Sequence, residues 1–228
     1  MKKTIYLFGL LLLVAACNTK KGIPEEFDYG KIENHVYRNS YFDFRITLPE
    51  SWTVKSQEEM AALQKQGQDL VAGDNSTLKK TIKASEVNTA TLLMTTKYPG
   101  QDQPDNPNFI AVAERLSSLA KAANHIDNGK DYLEATKKLM AQSAMKFEQE
   151  GDIVKSDLSG QEFYKMTMKL DAGIAVLHQD YYATIINDFA LAFVVTYVSD
   201  ASKEELQGIL NTIKFGDAAG DKPEPVKS

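Results

Sequence analysis

Few side chains in this sequence have the chemistry to act. The three histidines, His35, His125 and His178, show no HExxH or similar metal-ligand spacing. Only His178 has company: in "AVLHQDYYATII", His178, Asp180 and Tyr182 stand two residues apart, which puts them on one face of a strand. An imidazole, a carboxylate and a phenol in a row could pass a proton or hold a metal. No nucleophile or second ligand cluster accompanies them, so the row reads as the polar side of a partly exposed strand. The single cysteine, Cys17, cannot form an internal disulfide and has no second thiolate with which to bind a metal. There is no Gly-x-Ser-x-Gly elbow, and "LSGQ" at 158–161 is a turn. "GQDLVAG" at 67–73 is followed by Asp74-Asn75 where a phosphate loop needs Lys and Ser or Thr. Asp102, Asp105, Asn106 and Asn108 lie in a Pro-rich loop without EF-hand spacing and read as a solvated loop rather than a calcium site. The expectation is no catalytic residue, no cofactor and no metal. The sole tryptophan, Trp52, could anchor a partner, but beside a strand end it reads as packing over the core edge.

The position of Cys17 carries more information than its thiol. Met1-Lys2-Lys3 is a cationic start, and an apolar run follows from Ile5 to Ala16. As a helix that run is ~18 Å long against ~30 Å of bilayer hydrocarbon, too short for an ordinary span and suited to a secretory signal. It ends in Val14-Ala15-Ala16-Cys17, which resembles the lipobox of bacterial lipoproteins: an aliphatic residue and two small ones before an obligatory cysteine. The resemblance implies cleavage after residue 16, diacylglycerol on the Cys17 thiol, and Cys17 as the mature N-terminus. One acyl chain holds only weakly, so two or three are needed for a stable anchor. Asn18 stands where an Asp would resemble the inner-membrane retention signal, and no acidic cluster follows. The expected place is therefore the outer membrane, facing the periplasm.

The chain has 26 basic and 31 acidic side chains, and residues 1–16 hold two of the lysines and no acid, so the mature chain has a formal charge of −7. No basic patch stands out, which argues against nucleic acid as a partner.

Residues 17–35 read as a lipidated N-terminus and flexible tether, polar with scattered Gly and Pro; fully extended, such a stretch reaches at most ~60 Å. "GDAAGDKPEPVKS" at 216–228 is too polar to pack and reads as a disordered tail. Residues 36–215 between them form one domain. A short strand at Val36-Tyr37 turns at Arg38–Ser40 into a period-two strand with Phe42, Phe44, Ile46 and Leu48 on one face, ended by Pro49. Ser56 and Glu59 form a capping box for a helix bearing Met60 and Leu63. A short helix over 77–83, strands at 89–98 and 109–116, and a long helix from Asn128 or Lys130 toward Met145 follow. Three antiparallel strands come next, at 162–170, 175–186 and 190–198. The last of these is apolar on both faces, hence central and covered twice. Asn187-Asp188 suits a tight hairpin between the last two, and a helix over 202–213 closes the domain.

The stretch "YRNSYFDFRITLPESWTV" resembles the opening of PsbP-like domains and of DcrB-type bacterial lipoproteins, and "ALAFVVTYVSDASKEELQGILNTIKF" is similar to their final strand and helix. The resemblance implies an α+β fold, a twisted, mainly antiparallel sheet flanked by helices. It also implies a scaffold whose members assist or bind other proteins and share no catalytic centre. The expected function is a membrane-tethered, non-enzymatic binding or assembly module of the cell envelope with an envelope protein as partner. The alternatives are an envelope enzyme built on His178, Asp180 and Tyr182, or a small-ligand carrier with an apolar pocket between sheet and helix. Replacing Cys17 with Ala should abolish acyl labelling and release by the lipoprotein signal peptidase; labelling that persists in the variant would remove the anchor from this position.

Overall fold

The computed structural model describes residues 22–100, 103, 105–173 and 175–216. Cys17 and the tail beyond Gly216 lie outside the described residues. The expected α+β architecture, an antiparallel sheet flanked by helices, is the one observed. A seven-stranded antiparallel sheet runs in the order β4-β5-β6-β10-β9-β8-β7. Its strands are β4 (Thr53–Val54), β5 (Thr89–Thr96), β6 (Asn108–Arg115), β7 (Phe147–Leu158), β8 (Gln161–Asp171), β9 (Val176–Ile186) and β10 (Phe189–Tyr197). A smaller antiparallel sheet runs β1-β2-β3-β11, from β1 (Lys31–Glu33), β2 (Val36–Asn39), β3 (Phe44–Thr47) and β11 (Lys214–Phe215). The helices are α1 (Gln57–Ala72), α2 (Ser76–Glu86), α3 (Ser118–Asn124), α4 (Gly129–Met140) and α5 (Asp200–Asn211).

β10 organises these layers. All nine of its residues are buried, and it stands fourth of the seven strands. Ala190, Ala192 and Val194 face one core, which they share with Met60 of α1, Leu78 and Ile82 of α2, and Tyr132 and Leu133 of α4. Phe189, Leu191, Phe193 and Val195 face the other core, against Phe44 and Ile46 of the small sheet and Leu206, Ile209 and Leu210 of α5. Phe193 is the hub there, with ring centroids 5.5, 5.7 and 5.4 Å from those of Phe44, Phe109 and Phe163. Trp52 is 7 % exposed in the same core, as its place beside a strand end suggested.

Local signals position the elements. The Ser56–Glu59 capping box forms, with Glu59 Oε2 accepting from the Ser56 N–H at 2.7 Å and Ser56 Oγ from the Glu59 N–H at 3.2 Å. Asn187 and Asp188 both take positive φ, 51° and 64°, and join Ile186 to Phe189 as a two-residue hairpin. α4 lies so close to β9 that a Cβ on Gly129 would stand 2.0 Å from the Ala183 carbonyl oxygen. Tyr132 holds α4 from the other side by donating to buried Glu114 at 2.7 Å.

The structure differs from expectation in several places. The first strand pair turns later, at residues 40–43, because Asn39 Oδ1 accepts from the Phe42 N–H at 3.0 Å and Asp43 takes φ 51°. Phe42 therefore leaves β3, although it stays buried. α4 ends at Met140 instead of reaching Met145, and four strands lie between it and α5, the unexpected one being β7; β11 after α5 was also not expected. α3 was not expected either. The main correction concerns the N-terminal segment: from residue 22 onward the expected tether is part of the domain. Phe27 is 7 % exposed, its ring centroid 4.7 Å from that of Tyr41 and 5.3 Å from that of Phe189. Phe27 and the partly buried Ile23 pack this otherwise polar segment onto the core.

Asp28 bolts that segment down, accepting from the Gly30 N–H, the Ser40 N–H and the Ser40 hydroxyl, each at 2.7 Å. Partial burial alone would raise the Asp28 pKa. The Ser40 and Gly30 hydrogen bonds, with the Lys31 charge, outweigh it and hold the carboxyl below its ordinary range. A carboxyl depressed in the folded state stabilises at neutral pH, and that contribution is lost as pH falls through the folded value. Asp28→Asn should therefore cost ~1–3 kcal/mol in urea unfolding at neutral pH. The gap to the native protein should close in strong acid; a gap independent of pH would contradict this account.

Candidate functional site

The period of two on β9 puts His178, Asp180 and Tyr182 on one face, and the antiparallel register sets their neighbours. Lys169, Thr167 and Lys165 of β8 lie directly opposite them on one side, and Tyr197, Val195 and Phe193 of β10 on the other. Across β8, Glu150 of β7 stands opposite Thr167, just before a bulge at 151–153 where Gly151 takes φ 68°. Bulges twist a strand and re-aim its side chains.

Each member of the row is engaged. His178 Nδ1 lies 2.8 Å from Glu150 Oε2, and its ring stacks on that of Tyr197 at 5.4 Å with an interplanar angle of 10°. Asp180 is 3 % exposed; its Oδ1 accepts from the Thr167 hydroxyl at 2.7 Å, and its Oδ2 pairs with Lys165 Nζ at 2.9 Å. Lys165 Nζ lies 5.6 Å from the centroid of the Tyr182 ring. Burial pushes the Tyr182 phenol well above its ordinary pKa, and the Asp180 charge adds to this. For Tyr197, burial leads again, followed by the charges of Asp180 and Glu150. Both phenols therefore stay protonated at physiological pH.

The structure thus brings the three predicted residues onto one face, though not into one triad: His178 pairs with Glu150, and Asp180 with Lys165 and Thr167. The carboxylate on the imidazole could orient it as a base, yet the groups around it are a stacked phenol ring and strand neighbours. Sequence reading missed Glu150 because β7 was not recognised as a strand. The parity of β8 could have supplied Lys165, which alternates with Met166 exactly as the strand face requires.

The other candidates are spent in structural roles. Asp105 Oδ2 accepts from the Ser199 and Ser202 hydroxyls at 2.5 and 2.8 Å, tying the Pro-rich loop to the start of α5, so it is not a freely solvated loop residue. Asp102 lies outside the described residues. Among the described residues no group of three His, Cys, Asp or Glu side chains is placed to hold a metal. An open hollow of about 710 Å³ lies at the far end of β7 and β8, between Met145, Leu170 and Val176, with Lys146, Glu148 and Lys169 on its walls. A second, of about 600 Å³, lies between α1 and α2, with Lys65, Asp69, Lys79 and Lys83 among its lining residues. Neither is an enclosed apolar cavity of the kind a carrier needs.

A family model for the prokaryotic membrane lipoprotein lipid attachment site matches residues 1–18. The chain accordingly carries a lipoprotein signal and is a membrane-tethered lipoprotein of the cell envelope. No helix among the described residues is long and apolar enough to cross a membrane. No curated protein matches the chain. Among solved structures it is similar to LpqN of Mycobacterium tuberculosis, a protein involved in cell envelope biogenesis. That likeness has 11 % identity and a TM-score of 0.44, over 75 % of this chain and 82 % of the other. It is also similar to the cyanobacterial PsbP (CyanoP) of Synechocystis sp. PCC 6803, at 12 % identity and a TM-score of 0.45, over 79 % of this chain and 91 % of that one.

The Asp180 pair offers a test of this reading. Removing one partner of a buried ion pair leaves an uncompensated charge, so Lys165→Met should destabilise by ~3 kcal/mol in urea unfolding. Lys155, which pairs with Glu162 on the exposed side of β7, should cost no more than ~1 kcal/mol when changed to Met. Equal costs for the two would mean that Asp180 is not held as described.

Proposed function

We propose that this lipoprotein, lipidated on Cys17 after removal of a signal peptide spanning residues 1–16, is a non-enzymatic module that binds or assembles another envelope protein, without nucleic acid or cofactor. The outer membrane, facing the periplasm, is the preferred location because Asn18 departs from the inner-membrane retention signal. The observation that supports the binding reading is that the charged groups of the row are paired across neighbouring strands: His178 Nδ1 with Glu150, and buried Asp180 with Lys165 and Thr167. Asp180, the only deeply buried carboxylate of the row, is compensated on both oxygens, by Thr167 at Oδ1 and by Lys165 at Oδ2. Such a row fixes the register of β7, β8, β9 and β10.

The alternative enzyme would use the same residues, so one substitution separates the two. In a crosslinking pull-down from native membranes, His178→Gln should alter partner recovery modestly or not at all. Loss of a general acid or base costs ~10²–10⁴ in rate, so an enzyme would show a severe defect with the fold intact. A phenotype as severe as deletion, in a stably folded variant, would overturn the binding reading.

A further inference from the structure

The described chain begins at Gly22, and its first residues are fixed at one particular end of the large sheet. The Ile23 N–H donates to the Val87 carbonyl at 3.3 Å, and the Arg115 guanidinium donates to the Gly22 carbonyl at 2.8 Å. That end is made of the start of β5, the end of β6 and the β9–β10 hairpin, since Thr89 pairs with Glu114, Arg115 with Phe189, and Phe189 with Ile186. Only four residues lie between Cys17 and Gly22, so over five Cα steps the lipidated residue lies within ~18 Å of Gly22. The opposite end of the sheet, with Tyr197, His178 and the hollow at Val176, is one length of β10 away, roughly 27 Å.

The anchored end carries an apolar surface that nothing among the described residues covers. Val87, whose carbonyl holds the N-terminal segment, is 65 % exposed. Leu119 of α3 is 55 % exposed, and Ala122 and Ala123 share its face at i+3 and i+4, also exposed. The buried side of this short helix, through Ala120, faces the core. Lys121 is turned to the hairpin, where it pairs with Asp188 at 2.6 Å. The outer side of α3 is therefore left with small and apolar groups at the end of the sheet from which the chain leads back to Cys17.

We infer that the Gly22 end of the domain rests on the bilayer that holds the Cys17 lipid, with Val87 and the Leu119–Ala122–Ala123 face of α3 seated at headgroup level. This rests on lipidation at Cys17 as proposed above. The patch is small and contributes orientation, while the acyl chains contribute affinity. The acids Glu25, Glu26 and Glu86 are matched in the same stretches of chain by Lys20, Lys21 and Lys83, so the patch has no strong charge preference and a zwitterionic headgroup surface is sufficient for it. In this pose the far end, with the hollow between Met145, Leu170 and Val176, is presented away from the membrane to a partner.

The test uses the full lipidated protein in phosphatidylcholine vesicles doped with headgroup-nitroxide lipid. Cys17 is capped by its lipid, so Val87→Cys, Leu119→Cys and Val176→Cys each present one labelling site for a fluorophore. All three should float with the vesicles, and the nitroxide should quench the labels at positions 87 and 119 several-fold more than the label at 176. Adding Leu119→Asp should remove most of the quenching at 87 while flotation is unchanged. Failure to float would remove the lipidation reading and this pose with it. Flotation with equal quenching at the three sites, or quenching at 87 indifferent to Leu119→Asp, would overturn the pose alone.

Discussion

A strand with no polar face must be covered twice, and β10 imposes that requirement on the whole chain. Its nine buried residues divide between two cores, so the large sheet cannot present one side to water as a simple antiparallel meander does. One side is closed by α1, α2 and α4. The other needs more apolar surface than α5 alone supplies, and the small sheet with the N-terminal segment provides it. The residues chosen on the two sides reflect these partners. Small Ala190 and Ala192 admit helices closely, and Gly129 lets α4 approach the neighbouring β9 backbone. Large Phe189 and Phe193 fill the wider space beneath a sheet and interlock with Phe27, Phe44, Phe109 and Phe163.

The same double coverage explains the polar row. Where β9 and β8 pass from the aromatic core toward the sheet corner, the buried face runs out of apolar partners and turns polar. A carboxylate as buried as Asp180 is tolerated only with compensation, and Lys165 and Thr167 supply it. Because those partners lie on the neighbouring strand, a slip of one residue in that register would strand the charge. The row therefore discriminates against misregistered sheets, which is work that apolar neighbours cannot do.

How much of this was legible depended on whether the signal was local. The capping box at Ser56–Glu59, the Asn187-Asp188 turn and the unbroken apolar run of β10 each state their structure within a few residues, and each is found as read. β7 was not legible because it is an edge strand: "FEQEGDIVKSDL" has charges on both faces and a bulge that breaks its period. α3 is seven residues long and has one buried side chain, too little for a helical stripe. His178, Asp180 and Tyr182 were legible as a row, but their partners were not. Glu150 and Tyr197 arrive through strand pairing, which a single sequence does not display, whereas the face of β8 that carries Lys165 and Thr167 follows from its alternation.

The N-terminal segment was misread for the opposite reason, since composition was given more weight than one side chain. Residues 22–33 are polar on average, yet Phe27 buries its ring among four aromatic neighbours, and Asp28 closes the loop around it with three hydrogen bonds. The consequence reaches the membrane. Were the segment through residue 35 free, the domain could wander ~60 Å from its lipid; with the segment docked, the leash from Cys17 is at most ~18 Å. A short leash raises the effective concentration of one end of the domain at the bilayer surface, so even a small apolar patch there can bias orientation. Packing of Phe27 against Phe189 thus joins the central strand of the fold to the distance at which the protein stands from its membrane.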